Sequence, residues 1–147
     1  MKSLFEASTY TAVLERLDTL SPDSNPQWGK MNVAQMLHHC QKPFEIAVHE
    51  KDFGLKPNIL IKLFFKKSLY NDSPFRKNLP TVKSFKIVDE RDFNTEKKEL
   101  KELVNAFYTL REKENWKPHP VFGSFTTEQW GKLQYKHLDH HLRQFGV

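Results

Sequence analysis

The chain has 147 residues, enough for one core, and residues 1–147 are taken as a single domain. With Cys40 as its one cysteine, an intramolecular disulfide and a cysteine-rich zinc site are both excluded. No stretch approaches the ~20 apolar residues of a membrane span. Met1-Lys2-Ser3-Leu4-Phe5-Glu6 lacks the apolar run of a signal peptide, so a cytoplasmic protein is expected.

The formal charge of +5 is unevenly spread. Residues 51–86 hold Lys51, Lys56, Lys62, Lys66, Lys67, Arg76, Lys77, Lys83 and Lys86 against Asp52 and Asp72. Such a run is most often a solvated surface. It could also draw in an acidic small molecule, a membrane surface or nucleic acid, and the last is the weakest reading because no nucleic-acid motif accompanies it.

Taken in chain order, the first helical pattern runs from about Ala7 to Leu20, with Tyr10, Val13, Leu14 and Leu17 recurring at helical spacing. The segment Ser21-Pro22-Asp23-Ser24-Asn25-Pro26 breaks it. A second helix is expected over Val33–Glu50, with Asn32 as N-cap, Gln35 at the capping-box position and Pro43 inside it to kink it. Pro57–Leu69 reads as a short helix, Asn71–Pro80 as loop, and Val82–Val88 as an extended segment, from its alternation. A third long helix is expected over Thr95–Glu112, with Glu96 among its solvent-facing charges. The fourth starts near Thr126, capped with Gln129, and ends at Phe145 with Gly146 at the C′ position. Four long amphipathic helices and little strand signal predict an all-α helical bundle, with an extra loop and short helix between helices two and three.

The histidines carry the chemistry. On the last helix, at roughly 100° per residue, His137 and His141 fall within about 20° on either side of Trp130, at the centre of the apolar stripe. His140 falls at its edge, and Asp139 falls on the far side, where it should be solvated. Two imidazoles stacked in a core need partners for their ring nitrogens. A shared metal ion would satisfy them; buried carboxylates or waters would serve too. On helix two the inner arc extends over His39 and not over His38, which sits beside Lys42 and Glu45. Cys40 reads as a small buried hydrophobe, His49 as a favourable charge at a helix C-terminus, and His119 as a turn residue that could reach a site as an acid–base group.

These residues resemble a known family. Trp28 to His39 is similar to the Trp-x-x-x-x-Val/Ala-x-x-Leu-x-x-His pattern of the DinB-like metalloenzyme superfamily. His137-x-x-x-His141 followed by Arg143-Gln144 resembles that superfamily's final helix. His119-Pro120-Val121-Phe122-Gly123 followed by Trp130 resembles a branch of unknown function. The resemblance implies a DinB-like four-helix bundle of up-down-down-up topology, often dimeric. It implies a metal triad of His39, His137 and His141 holding one divalent ion, nickel, zinc or iron. It further implies that water or a low-molecular-weight thiol is activated there for hydrolysis or S-transfer on a small electrophilic substrate, with the basic segment attracting an anionic one. The rival expectation is a non-catalytic binding or stress-response module with a structural or vestigial metal site.

Overall fold

The computed structural model describes all 147 residues and is all-helical, with no strands. Five α-helices follow in order: α1 (Ala7–Thr19), α2 (Val33–His49), α3 (Ile59–Phe65), α4 (Phe93–Thr109) and α5 (Thr127–Gln144). Short 3₁₀ turns lie at Lys67–Leu69 and Lys83–Phe85. No helix is long and apolar enough to cross a membrane.

The helix starts follow from local side-chain chemistry. At α2, Asn32 accepts from the Gln35 backbone N–H at 2.9 Å while Gln35 Oε1 accepts from the Asn32 N–H at 3.0 Å. The same reciprocal pair, Thr126 and Gln129, opens α5. Each pair satisfies two of the four orphan donors at a helix N-terminus. The third long helix starts earlier than Thr95: Asp92 Oδ1 accepts from the Thr95 N–H at 2.8 Å, so Asp92 is the cap and Thr95 lies inside α4. At the far end α4 stops at Thr109, short of Glu112. Helix α2 runs through Pro43 and ends where Glu50 turns into the left-handed region at φ 56°.

The long helices pack as their apolar stripes require. Helix α2 lies against α4 and α5, and α1 touches both α4 and α5. Val13 and Leu17 of α1, Met36, Leu37, Cys40 and Phe44 of α2, Leu100, Val104 and Phe107 of α4, and Trp130, Leu138 and Leu142 of α5 share one buried cluster. Aromatic rings knit its lower end: Phe5 stacks on Phe107 at 4.5 Å, and Trp116 leans on Trp130 at 5.7 Å. Leu4 is fully buried, and its N–H donates to the carbonyl of Gly131 at 3.0 Å, so the chain before α1 is strapped across α5.

Three expectations are corrected. Val82–Val88 is not extended. Lys83–Phe85 forms a 3₁₀ turn, because no second strand is at hand to take up ladder hydrogen bonds. Asp139 is only partly solvated. It pairs with Arg16 of α1 at 2.8 Å, and Arg16 also donates to the Val147 carbonyl at 2.8 Å, so the face opposite the core carries a second helix contact. Glu96 is 5% exposed rather than solvent-facing, because α4 turns it toward α2. There it accepts from Gln41 Nε2 at 2.7 Å, pairs with His38 Nδ1 at 2.8 Å and lies 3.6 Å from Arg91.

The strap at Gly131 tests this packing. A Cβ on Gly131 would collide with Ser3 Oγ and approach Cδ2 of Phe5 to 2.7 Å. Gly131→Ala is therefore expected to lower stability by about 1–3 kcal/mol despite alanine's better helix propensity. Denaturant unfolding measures this; an unchanged or raised midpoint would show that the strap does not lie where the packing puts it.

Candidate metal centre

Helices α2 and α5 bring His39, His137 and His141 together, with one ring nitrogen from each within 4.8 Å of the others. His39 is 4% exposed and His141 8%, and the Nδ1 of His137 is wholly enclosed. The four-residue spacing places His137 and His141 one turn apart on α5, their rings edge to face at 4.8 Å. The His39 ring faces both, at 5.0 Å from His137 and 4.7 Å from His141.

Hydrogen bonding decides where the protons sit. His39 Nδ1 lies 2.9 Å from the carbonyl oxygen of Phe85. A carbonyl only accepts, so Nδ1 carries the proton and Nε2 presents a bare lone pair. For His141 the reasoning takes one more step. Gln144 Nε2 lies 2.6 Å from the Trp28 carbonyl, which makes that amide nitrogen the donor and orients the amide. Gln144 Oε1 then accepts from His141 Nδ1 at 2.8 Å, leaving the His141 Nε2 lone pair free. This is the arrangement by which an outer group fixes the tautomer and aim of a metal-ligating histidine.

The third imidazole meets the first nitrogen to nitrogen: His39 Nε2 and His137 Nε2 are 3.1 Å apart. Only a proton on His137 or a cation between the rings makes that approach favourable. Separations of this order are what two ligands share around an ion with bonds of ~2.1 Å. His137 Nδ1 has no hydrogen-bond partner. Burial among other imidazoles pushes all three pKa values below the usual histidine range, for His141 to about 3. The three are thus neutral at physiological pH, the state a metal ligand must adopt. Three neutral imidazoles, His39 and His141 buried and His137 partly so, with one ring nitrogen each within 4.8 Å of the others, could hold a metal ion; imidazole donors suit zinc, nickel, iron and copper alike.

The remaining candidates fall elsewhere. His38 turns away from the cluster to Glu96. His49 is exposed at the last residue of α2. Cys40 is fully buried in the core, and burial pushes its thiol pKa up, which makes it a poor nucleophile. His119 is not brought into the cluster. Its Nδ1 accepts the N–H groups of Val121 at 3.1 Å and Phe122 at 3.3 Å, and its ring packs on Trp130 at 5.9 Å. His140 adjoins His141 at 5.0 Å, with its ring flanked by Trp28 and Phe75. A cleft of about 190 Å³ opens there, lined by Trp28, Phe75, Lys77, Lys136, His140 and Arg143 among others.

Two contributors were not assigned a role from sequence. Gln144 closes the final helix three residues after His141, and that spacing is the available signal. The Phe85 contribution is a backbone oxygen and leaves no trace in residue identity.

Residues 3–146 match a family model described as "Protein of unknown function (DUF1569)". No curated protein and no solved structure matches the chain.

His119 offers a check on its own environment. Burial, with Lys66 nearby, pushes its pKa down to about 4. An unfolded chain takes up this proton near pH 6.5 while the folded chain remains neutral, so stability falls as pH drops from about 6.5 toward 4, by about 1–3 kcal/mol. Urea unfolding at pH 7 and pH 5 should show this loss in the native chain and a smaller one in His119→Gln. Equal losses would mean that His119 is already protonated or solvated when folded.

Proposed function

The chain belongs to the DUF1569 family, whose description assigns no activity, and we propose that it is a metal-dependent enzyme acting on a small electrophilic, anionic substrate. We read its four long helices as a DinB-like bundle of up-down-down-up topology with His39, His137 and His141 as the ligand set. The observation that carries this reading is the clamped triad. Two imidazoles have their outer nitrogens committed to Phe85 and Gln144, and the three rings bring one nitrogen each within 4.8 Å of the others.

A divalent ion held there would lower the pKa of a water or small thiol that it binds, supplying a nucleophile near neutral pH for hydrolysis or S-transfer. The chain's own residues supply the rest. Three histidines leave coordination room for such a ligand, as catalytic sites of this kind require. Phe85 and Gln144 hold two rings in fixed orientation, which lowers the reorganisation cost of binding. The adjoining cleft is lined by Lys77, Lys136 and Arg143 against one carboxylate, Asp139, which Arg16 pairs, and Trp28 and Phe75 give it flat apolar surface. Lys77 sits over the Trp28 ring at 4.4 Å, so the charge is placed and not merely present. An anionic molecule with an apolar body matches such a lining.

Metal titration of the purified, tag-free chain tests the reading. Near-stoichiometric zinc or nickel binding is expected, with affinity reduced by at least about tenfold in His39→Ala, His137→Ala and His141→Ala. His38→Ala should bind as the native chain does. With cobalt(II) as the probe, added small thiol should alter the visible absorption. Failure to bind any of these metals removes the chemistry, and binding with no response to thiol or to changed pH would point to a structural site.

A further inference from the structure

The connection between α2 and α4 contains an element built inside out. An ordinary surface helix turns its apolar stripe to the core and its charges to water. At α3 two lysines reach back to the following loop, exposed Lys62 within the helix and partly covered Lys66 at its C-cap. Lys66 Nζ donates to the Ser124 carbonyl and lies 4.8 Å over the Phe125 ring. One turn earlier, the Lys62 ammonium reaches Gly123. The apolar side chains meet water: Ile59 is 80% exposed, Leu63 72% and Phe64 70%, with Leu60 and Phe65 also exposed. No residue of α3 is buried. A contiguous apolar surface of this kind marks an interaction site.

Charge selects the occupant. Between Asp52 and Asp72 the chain holds Lys56, Lys62, Lys66 and Lys67 and no acidic residue. Lys56 and Lys67 are exposed and flank the helix on either side. A second copy of the chain meeting this face about a two-fold axis would set lysines against lysines, with no acidic group in the segment to relieve them. A layer of anionic headgroups over an apolar interior complements both features at once, bulky apolar side chains inserting and lysines remaining at headgroup level. We propose that α3 docks the protein on an anionic membrane surface, with Leu60, Leu63 and Phe64 entering the boundary between headgroups and acyl chains and Lys56 and Lys67 pairing with acidic headgroups. The docking does not depend on the metal-site reading, since no α3 residue belongs to the triad.

Co-sedimentation of the full chain with vesicles of phosphatidylcholine alone, or containing about 30 mol % phosphatidylserine, tests this. Binding to the anionic vesicles should exceed binding to neutral ones by at least about tenfold, and fall severalfold when salt is raised from about 0.1 M to about 0.5 M. Leu63→Glu combined with Phe64→Glu should reduce it to about a tenth or less. Both side chains are exposed, so the double variant should keep the native thermal midpoint and metal stoichiometry, and these are measured alongside. Lys56→Glu combined with Lys67→Glu should weaken anionic binding and leave neutral binding unchanged. The proposal is overturned by equal binding to neutral and anionic vesicles, by no binding, or by a folded Leu63/Phe64 variant that still sediments with them. A concentration-dependent dimer in sedimentation equilibrium that the Leu63/Phe64 variant abolishes, without vesicle binding, would assign the face to a second copy.

Discussion

The position of two protons governs this site. An imidazole can offer a lone pair from either nitrogen, and which one it offers depends on what the other nitrogen meets. Here two backbone carbonyls make the choice. The Phe85 oxygen accepts from His39 Nδ1–H directly, and the Trp28 oxygen accepts from Gln144 Nε2–H, which turns the Gln144 oxygen to accept from His141. Neither carbonyl can donate, so neither arrangement can invert without losing a buried hydrogen bond. The inward aim of the His39 and His141 lone pairs follows from that, while burial keeps the rings neutral.

Rigid elements deliver the ligands to those carbonyls. His137 and His141 ride on an eighteen-residue helix with a complete capping box at its start, and His39 rides on a seventeen-residue one with another. Helix α2 is held on its other side by a polar network that has nothing to do with the cluster, in which buried Glu96 collects Gln41, His38 and the nearby Arg91. A carboxylate that far from water needs several partners, and it has them. Adjacent histidines therefore divide the labour: His38 ties α2 to α4, while His39 reaches α5.

Much of this was legible in the sequence because it rests on periodicity and capping. The 3.6-residue repeat located four helices and placed His137 and His141 on the inner arc. The pairs Asn32–Gln35 and Thr126–Gln129 marked two helix starts correctly, because each is a local, reciprocal interaction between neighbours. The misreadings have a common cause. Asp92 precedes the periodic stretch that marks α4, yet its carboxylate caps the helix. Glu96 and Asp139 look solvated from their neighbours, yet partners on other helices engage them. Alternation over Val82–Val88 suggested an extended segment, but alternation is a strand only when something stands beside it to pair with. Each of these depends on what the rest of the chain brings near, and a linear pattern does not contain that.

The Phe85 carbonyl has a consequence for how related chains are compared. It lies in the long connection between α2 and α4, a region where insertions and deletions are ordinarily tolerated. Any residue there can supply the same oxygen, so substitution leaves the clamp untouched. A change of length does not, since it carries the oxygen away from His39. A homologue could thus keep all three histidines in perfect alignment and still present a wrongly oriented ring. Among relatives, the number of residues between the two helices would be a sharper guide to a working site than the identity of any residue within it.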